Sequence, residues 1–460
     1  MEHLSKRIVV TLLVGAGFCG SAAGMTVSQC GRYGAGMGHP RSRRMAFYTK
    51  GEPDFLFSEG ESVAINCQPL DRAVQLEWSL CHNLLSTPIS SGFAEPGFDN
   101  GFAIEVPTDA LRPGFYDLRV KVRLAEKTYI NGIATFGWRV GEQVVVPFKT
   151  DDFEDFWRKV RESLQQVPLK LKYKRRRQFK GMEIDRYNAE MAHLPEHYDP
   201  DGEKCQEVEV YNVSFASAKG KRVYGWYAKP RGKGPFPGML VLPGAGNRPI
   251  PIPLEQARHG YAALSIQVHG FPVDLKKYPP LPQDNDSSPE KRMHFPVYVN
   301  SLQAVNALAK LPGVEPNRLI VVGSSQGGRL AIVVAALDKR VKAAVCALTH
   351  YAYLPWHEWT QRLNLEKNEG QSRFTVDDIV ADQRLQTASY LDVLNFAPMI
   401  ECPVLMNCGL IDRFSPATAV YAVYHSIHAQ KKMIPLPTMG HDWSLPFDRY
   451  AWRWLEEVMR

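Results

Sequence analysis

Ser325 stands in Gly323-Ser324-Ser325-Gln326-Gly327, between the apolar run LIVV (319–322) and the helical pattern RLAIVVAAL (329–337). A serine hydroxyl is a poor nucleophile at neutral pH. It needs a base to take its proton and a carboxylate to orient that base. Glycines beside such a serine allow a strand-to-helix turn too tight for side chains, and the helix N-terminus behind it favours negative charge. The five-residue pattern is a weak signal alone; a strand before it and a helix after it strengthen it. Asp412 follows the strand-like VLMNCGLI, and His441 follows MIPLPTMG. Context and order select Ser325 over Ser324 as nucleophile, with Asp412 as acid and His441 as base. Asp392 lies away from a strand end, and Asp442 is too close in sequence to its histidine. His269, His350 and His357 do not follow the acid.

Acyl transfer also needs hydrogen-bond donors for the oxyanion. The backbone N–H of Gln326, next to the nucleophile, is one. The other is expected from the loop after an early strand, LVLPGAGNRP (240–249), at the Ala245 N–H. No CxxC or HExxH occurs, so neither a metal site nor a cofactor is expected.

Elements that could position these residues follow from the pattern beyond residue 205. PGMLVLPG, YAALSIQVHG, NRLIVVGSS, VKAAVCAL, CPVLMNCGL and KKMIPLP read as short apolar strands, interleaved with helical patterns such as VYVNSLQAVNALAKL. That alternation argues a mainly parallel sheet covered by helices on both faces. Ser325, Asp412 and His441 all fall where strands end, the active edge of such a sheet. Residues 350–390 contain no obvious strand and read as a lid-like insertion. Its Tyr351, Tyr353, Trp356 and Trp359 either shape the alcohol side of the site or pack a core.

Upstream, VVVPFKTDDFEDFWRKVRESL (144–164) marks a boundary. Asp151 or Asp152 can cap a helix there, with Phe153, Phe156, Trp157, Val160 and Leu164 at helical spacing. Residues 45–146 hold SVAINCQP, VQLEWSLCH, GFAIEVP, FYDLRVKVRL and GIATFGWRV, with no helical period between them. These predict an antiparallel β-sandwich, immunoglobulin-like in the turn and tyrosine of LRPGFYDLRV. It carries no catalytic set and reads as a structural spacer in preference to a carbohydrate-binding module.

A chain of 460 residues with 45% hydrophobic and 22% charged content suits a soluble protein of two or three domains. The net charge of +7 is concentrated in KLKYKRRRQFKG (170–181). With no basic-aromatic repeat beside it, that stretch reads as solvated surface, and nucleic acid is not an expected partner. MEHLSKRIVVTLLVGAGFCGSAAG has the three-part pattern of a secretory signal, cleaved after Ala23 or Gly24. Its apolar run is short of the roughly 20 residues of a membrane span. The expected organisation is a signal peptide at 1–24, a flexible leader at 25–44, the sandwich at 45–146 and the catalytic domain at 147–460. The product is secreted or periplasmic, without stable membrane insertion after cleavage. The cysteines left are odd in number, so at least one is free or paired between chains. Cys67 and Cys81 are candidates for a bridge, while Cys346 and Cys408 read as inert core residues.

From about 147 to 460 the chain resembles the acetyl xylan esterase / cephalosporin C deacetylase family of α/β-hydrolases. The resemblance is carried by DDFEDFW, VYGWYAKP, RLIVVGSSQGG, AALDKRVKAAV, SYLDVLNFAPMIECPVLMNCGLID and the final Gly440-His441. It implies an α/β-hydrolase fold and nucleophile Ser325, acid Asp412, base His441 and oxyanion donors at Gln326 and Ala245. It also implies removal of small acyl groups, chiefly acetyl, from sugars and related alcohols. The partner expected is therefore an acetylated carbohydrate or small acyl ester. Two motifs depart from the family. Pro243-Gly244-Ala245 replaces its usual His-Gly-Tyr, which removes an aromatic wall beside the acyl pocket. His269-Gly270-Phe271 replaces its Arg-Gly-Gln. The added sandwich could obstruct the family's ring-like assembly, so oligomeric state is left open. Two other classes share the triad order or the fold: a prolyl oligopeptidase-type peptidase, whose propeller about 100 residues cannot make, and an inactive carbohydrate-binding protein.

Overall fold

The computed structural model describes residues 44–190, 205–366 and 382–460. The signal peptide, nearly all of the leader, and Cys30 lie outside the described residues. So does part of the lid-like segment.

The N-terminal part is built of eight strands in two sheets. They are β1 (Met45–Tyr48), β2 (Leu56–Phe57), β3 (Val63–Pro69), β4 (Ala73–His82), β5 (Pro88–Ala94), β6 (Phe102–Val106), β7 (Gly114–Leu124) and β8 (Tyr129–Trp138). One sheet runs β1-β3-β6 and the other β2-β8-β7-β4-β5. All pairings are antiparallel except β2 with β8. In β3 the residues Val63, Ile65 and Cys67 are buried while their neighbours are partly exposed, the period-2 alternation of a half-buried strand. The strands missing from the sequence reading, β1, β2 and β5, are all sheet edges, where short length or Ser and Gly content erases the alternation. Cys67 and Cys81 are both free thiols. They sit on strands of different sheets, with Cys67 Sγ against Met45 Sδ at 3.9 Å and Cys81 Sγ against Ser86 O at 3.7 Å. The bridge considered from sequence does not form.

Helix α1 (Phe153–Gln165) follows, with Phe153, Trp157 and Leu164 buried. Asp152 occupies its N-cap position but makes no capping bond. Its carboxylate instead accepts the hydroxyl of Tyr390, a tertiary contact that outcompetes the local one.

A nine-stranded sheet then forms. Its members are β9 (Lys172–Lys180), β10 (Glu207–Ala216), β11 (Arg222–Pro230), β12 (Phe236–Leu242), β13 (Ala262–Gln267), β14 (Val314–Ser324), β15 (Val341–Ala347), β16 (Val404–Gly409) and β17 (Lys431–Leu436). The order is β17-β16-β15-β14-β12-β13-β11-β10-β9. The six strands β17-β16-β15-β14-β12-β13 are parallel to one another, and β11, β10 and β9 follow at one edge, each pairing antiparallel with the strand before it. The basic stretch at 172–180 is that edge strand. Lys172 to Arg177 remain exposed, and charged side chains on an edge block further strand pairing. Helices α2 (Phe295–Leu308), α3 (Gln326–Leu337), α5 (Ala417–Ser426) and α6 (Leu445–Val458) pack on the sheet, and α4 (Leu354–Glu366) lies against the sandwich loop at 84–86.

Apolar packing is continuous between the two parts. One buried cluster takes in Leu118 and Phe136 of the sandwich and Val333, Cys346 and Val420 of the α/β part. The Phe115 and Tyr421 rings meet at 4.7 Å. Polar contacts join the same faces: Asn364 of α4 donates to Leu84 O and accepts from Ser86 N, each at 2.9 Å, and Thr418 of α5 donates to Asn83. Among the described residues no helix is long and apolar enough to cross a membrane.

Candidate active site

Strand order reverses at β12, which pairs with β13 on one side and β14 on the other. A crevice forms beyond the carboxyl ends of parallel strands at such a reversal. The loops after β12 and β14 bring PGAG and Ser325 there.

Ser325 has φ 58° and ψ −117°, a backbone conformation that costs about 1–3 kcal/mol in a non-glycine residue. The surroundings hold it in place. Its N–H donates to Ala347 O at 2.9 Å. A Cβ on Gly327 would run into the Leu242 carbonyl, and one on Gly328 into the Ala347 carbonyl. Only glycine lets α3 start this close to the ends of β12 and β15.

Ser325 Oγ lies 2.8 Å from His441 Nε2, and His441 Nδ1 donates to Asp412 Oδ2 at 2.6 Å. Asp412 is buried, and its other oxygen accepts the N–H groups of Phe414 (2.8 Å) and Ser415 (2.9 Å). The carboxylate is thus fixed on both oxygens, and it presents one of them to the imidazole.

The alternatives weighed from sequence go elsewhere. Asp392 caps a short helix at Val393–Phe396 and accepts the Tyr353 and Leu354 N–H groups. Complete burial raises its pKa to about 6. His350 Nδ1 donates to Phe414 O at 2.7 Å. Burial first, and the charge of Arg329 second, bring His269 and His350 down to about 4. Of the lid aromatics, Tyr353 is buried, and its hydroxyl accepts the Val146 N–H between sandwich and α1.

A second set of residues near the elbow was not read from the sequence. Arg329, one turn into α3, is 1% exposed and has no carboxylate within salt-bridge distance among the described residues. Its Nη2 donates to Gln326 Oε1 and to His294 Nδ1, both at 3.2 Å, while Nε and Nη1 have no hydrogen-bond partner among the described residues. The guanidinium lies over the Tyr351 ring at 4.9 Å. With Oε1 facing a cation, the Gln326 amide turns its Nε2 outward, toward Gly244 O at 3.4 Å. That oxygen belongs to the peptide unit that carries the Ala245 N–H. A peptide unit is planar, so holding Gly244 O restrains the plane in which the Ala245 N–H lies. Ala245 itself is exposed. No pattern along the chain flags Arg329, because His294 is distant in sequence and Gly244 is reached only through Gln326.

Among the described residues no group of three or more His, Cys, Asp or Glu could hold a metal ion.

A parallel sheet with a strained serine at a strand-to-helix elbow, hydrogen-bonded to a histidine that follows a later strand, defines an α/β-hydrolase. A family model for acetyl xylan esterase (AXE1) matches residues 182–458. The chain belongs to that family and is a carboxylic ester hydrolase. The acetyl esterase Axe7A of Xylanibacter ruminicola is 24% identical over 436 residues, covering 88% of this chain and 89% of that protein. Two solved structures share the fold. The acetyl xylan esterase from Paenibacillus sp. R4 is 23% identical with a TM-score of 0.52, covering 69% of this chain and 98% of that one. Acetyl xylan esterase 1 from Thermoanaerobacterium sp. JW/SL YS485 is 20% identical with a TM-score of 0.54, covering 69% and 97%. The match to Axe7A thus extends over more of the chain than either solved structure does.

Proposed function

We propose that this chain is an exported serine esterase that removes acetyl or other small acyl groups from carbohydrate esters through an acyl-enzyme. Ser325 Oγ attacks the ester carbonyl while His441 Nε2 takes its proton. Asp412 holds the imidazole in the tautomer this requires. The tetrahedral oxyanion is received by the backbone N–H groups of Gln326 and Ala245. His441 then protonates the leaving alcohol oxygen as its bond to the acyl carbon breaks. Water, giving a proton to the same imidazole, attacks the acyl-serine; the bond from the acyl carbon to Ser325 Oγ then breaks, His441 returns the proton to Oγ, and the free acid leaves. Every proton in this scheme is carried by a named side chain or by water. Arg329 is a positioning residue: through Gln326 it orients the peptide unit of the second oxyanion donor.

The observation that carries this reading is the unbroken set of contacts from Ser325 Oγ to His441 to Asp412 at 2.8 and 2.6 Å. Carbohydrate as substrate rests on the family and on the relatives' names. Export rests on residues 1–24, read as a signal peptide.

The sandwich is proposed as an immunoglobulin-like domain acting as a rigid support. In favour of the first point, the Tyr116 hydroxyl donates back to Arg112 O at 2.7 Å and accepts the Arg112 N–H at 2.8 Å. A tyrosine tied to backbone a few residues upstream is a mark of that fold. In favour of the second, its 83–86 loop bonds to α4 and to the start of α5, the helix that follows the acid-bearing loop.

The test uses p-nitrophenyl acetate, acetylated xylan and an aminoacyl anilide, with wild type beside Ser325→Ala. Wild type is expected to cleave the esters, and the variant to lose several orders of magnitude in kcat. Ester cleavage that survives the substitution would refute the role of Ser325. Cleavage of the anilide alone would favour a peptidase, and inactivity on all three a binding protein.

A further inference from the structure

Two large apolar side chains are exposed on the loops that carry Asp412 and His441. Phe414 is 57% exposed and Trp443 is 41% exposed. Water-exposed aromatic area is unfavourable, and where it persists beside a site it usually marks a contact surface. Neither residue is loosely held. Phe414 is fastened by its backbone on both sides, its N–H to Asp412 Oδ1 at 2.8 Å and its carbonyl to His350 Nδ1 at 2.7 Å. Its ring centroid lies 5.6 Å from that of His441. The Trp443 indole N–H donates to the buried carboxylate of Asp448, in the first turn of α6. That bond occupies the only polar atom of the indole, so what Trp443 offers to a ligand is its apolar surface.

The chemistry of the site decides which half of a substrate would meet these rings. The carbonyl oxygen points to the N–H groups of Gln326 and Ala245, which places the acyl group toward the β12 loop. His441 must deliver its proton to the leaving oxygen, so the alcohol portion sits against the histidine and whatever lies next to it. We infer that Phe414 and Trp443 form a stacking platform for a saccharide ring on the alcohol side of the scissile ester. This rests on the esterase reading above. A pyranose has flat C–H surfaces that pack on an aromatic ring, and a rim of hydroxyls that stays in water. An open, rigid, aromatic rim suits such an amphipathic ring. An alkyl alcohol would need an enclosed groove to bury its surface.

The experiment compares Phe414→Ala and Trp443→Ala with wild type on two esters, an acetylated xylo-oligosaccharide and p-nitrophenyl acetate. Loss of one stacked ring is expected to raise KM for the saccharide by about tenfold, at least fivefold more than for p-nitrophenyl acetate. Phe414→Tyr and Trp443→Phe should recover most of that loss. In parallel, neutral xylo-oligosaccharide is titrated into Ser325→Ala while tryptophan fluorescence is followed. Saturable change is expected, and it should weaken in the Ser325→Ala/Phe414→Ala double variant. Equal losses on both esters would make the rings mere supports of His441 and overturn the platform, as would a saccharide KM insensitive to either substitution. If wild type cleaves neither ester, the catalytic reading fails. The titration then still decides the platform, since no binding overturns it.

Discussion

Asp117 in the sandwich and Arg329 in the α/β part are both only 1% exposed, and their surroundings treat them in opposite ways. Asp117 is fully answered. One oxygen accepts from Asn83 Nδ2 and Thr135 Oγ1, each at 2.9 Å, and the other accepts the Leu84 N–H at 3.0 Å. The Arg119 guanidinium stands 4.0 Å away. Arg329 has one nitrogen satisfied, two without hydrogen-bond partners among the described residues, and neutral histidines where a carboxylate would be expected. Burying a charge without a counter-charge costs several kcal/mol, so a fold keeps one only where something other than stability is gained. The sandwich uses its polar groups to stabilise itself and the 83–86 loop; the elbow leaves a buried charge without a counter-charge beside the proposed oxyanion site.

Substitutions that should have opposite consequences in the two regions can break this contrast. The largest effect on stability is expected for Asp117→Ala, which leaves the Leu84 N–H and the Asn83 amide without an acceptor. We expect about 3 kcal/mol lost in urea unfolding, with kcat/KM on p-nitrophenyl acetate within twofold. A stable variant with lost activity would reverse the assignment of roles. Arg329→Met should do the converse. It is expected to lower kcat by roughly 10- to 100-fold, less than outright loss of an oxyanion donor, while raising stability by about 1 kcal/mol. KM should move little. Arg329→Lys should fall between, since lysine keeps the charge but not the fork that reaches both Gln326 and His294. A destabilised Arg329→Met with unchanged kcat would show the arginine to be structural.

A smaller effect appears in the dependence on pH. Burial, reinforced by the Arg329 charge, holds His269 and His350 down to about 4, and His294 lower still. In the unfolded chain an imidazole titrates near 6.5. Between about pH 6.5 and 4 the unfolded chain therefore binds protons that the folded chain refuses. Stability should be complete above that window and decline as pH falls through it. Urea midpoints at several pH values test this, and the slope should be shallower in Arg329→Met. An identical slope would remove Arg329 as a cause. The smallest effect is expected for Asn364→Ala, which removes two bonds between sandwich and α4. It should cost about 1 kcal/mol, and a larger loss of kcat than of stability would mean that the sandwich steers the site as well as bracing it.

Much of the elbow was legible along the chain because its constraint is local. A strand, a tight turn and a helix leave their mark within a dozen residues, and glycine is required where Gly327 meets the Leu242 carbonyl. The edge strands β1, β2 and β5 were not legible, since β1 and β2 are too short to show an alternation and β5 is rich in Ser and Gly. The basic strand β9 was read only as solvated surface, because its run of exposed charges carries no apolar period. Asp152 was expected as a cap, and the Tyr390 hydroxyl took its carboxylate instead.

Taken alone, the sequence determined the class of chemistry. The order of Ser325, Asp412 and His441 at strand ends, with the glycine-bracketed turn, needs only short-range rules and the direction of a parallel sheet. It also determined that a strand-rich segment precedes the α/β part. Tertiary structure decided everything that depends on residues far apart in the chain. It brought Ser325, His441 and Asp412 within hydrogen-bonding distance, and it denied Cys67 and Cys81 a bridge by placing them in different sheets. It joined Asn83 to Thr418 and Gly244 to Arg329 through Gln326. The physical reason is that hydrogen bonds and buried charges act over a few ångströms of space, and the separation of their partners along the chain leaves no period or motif to read.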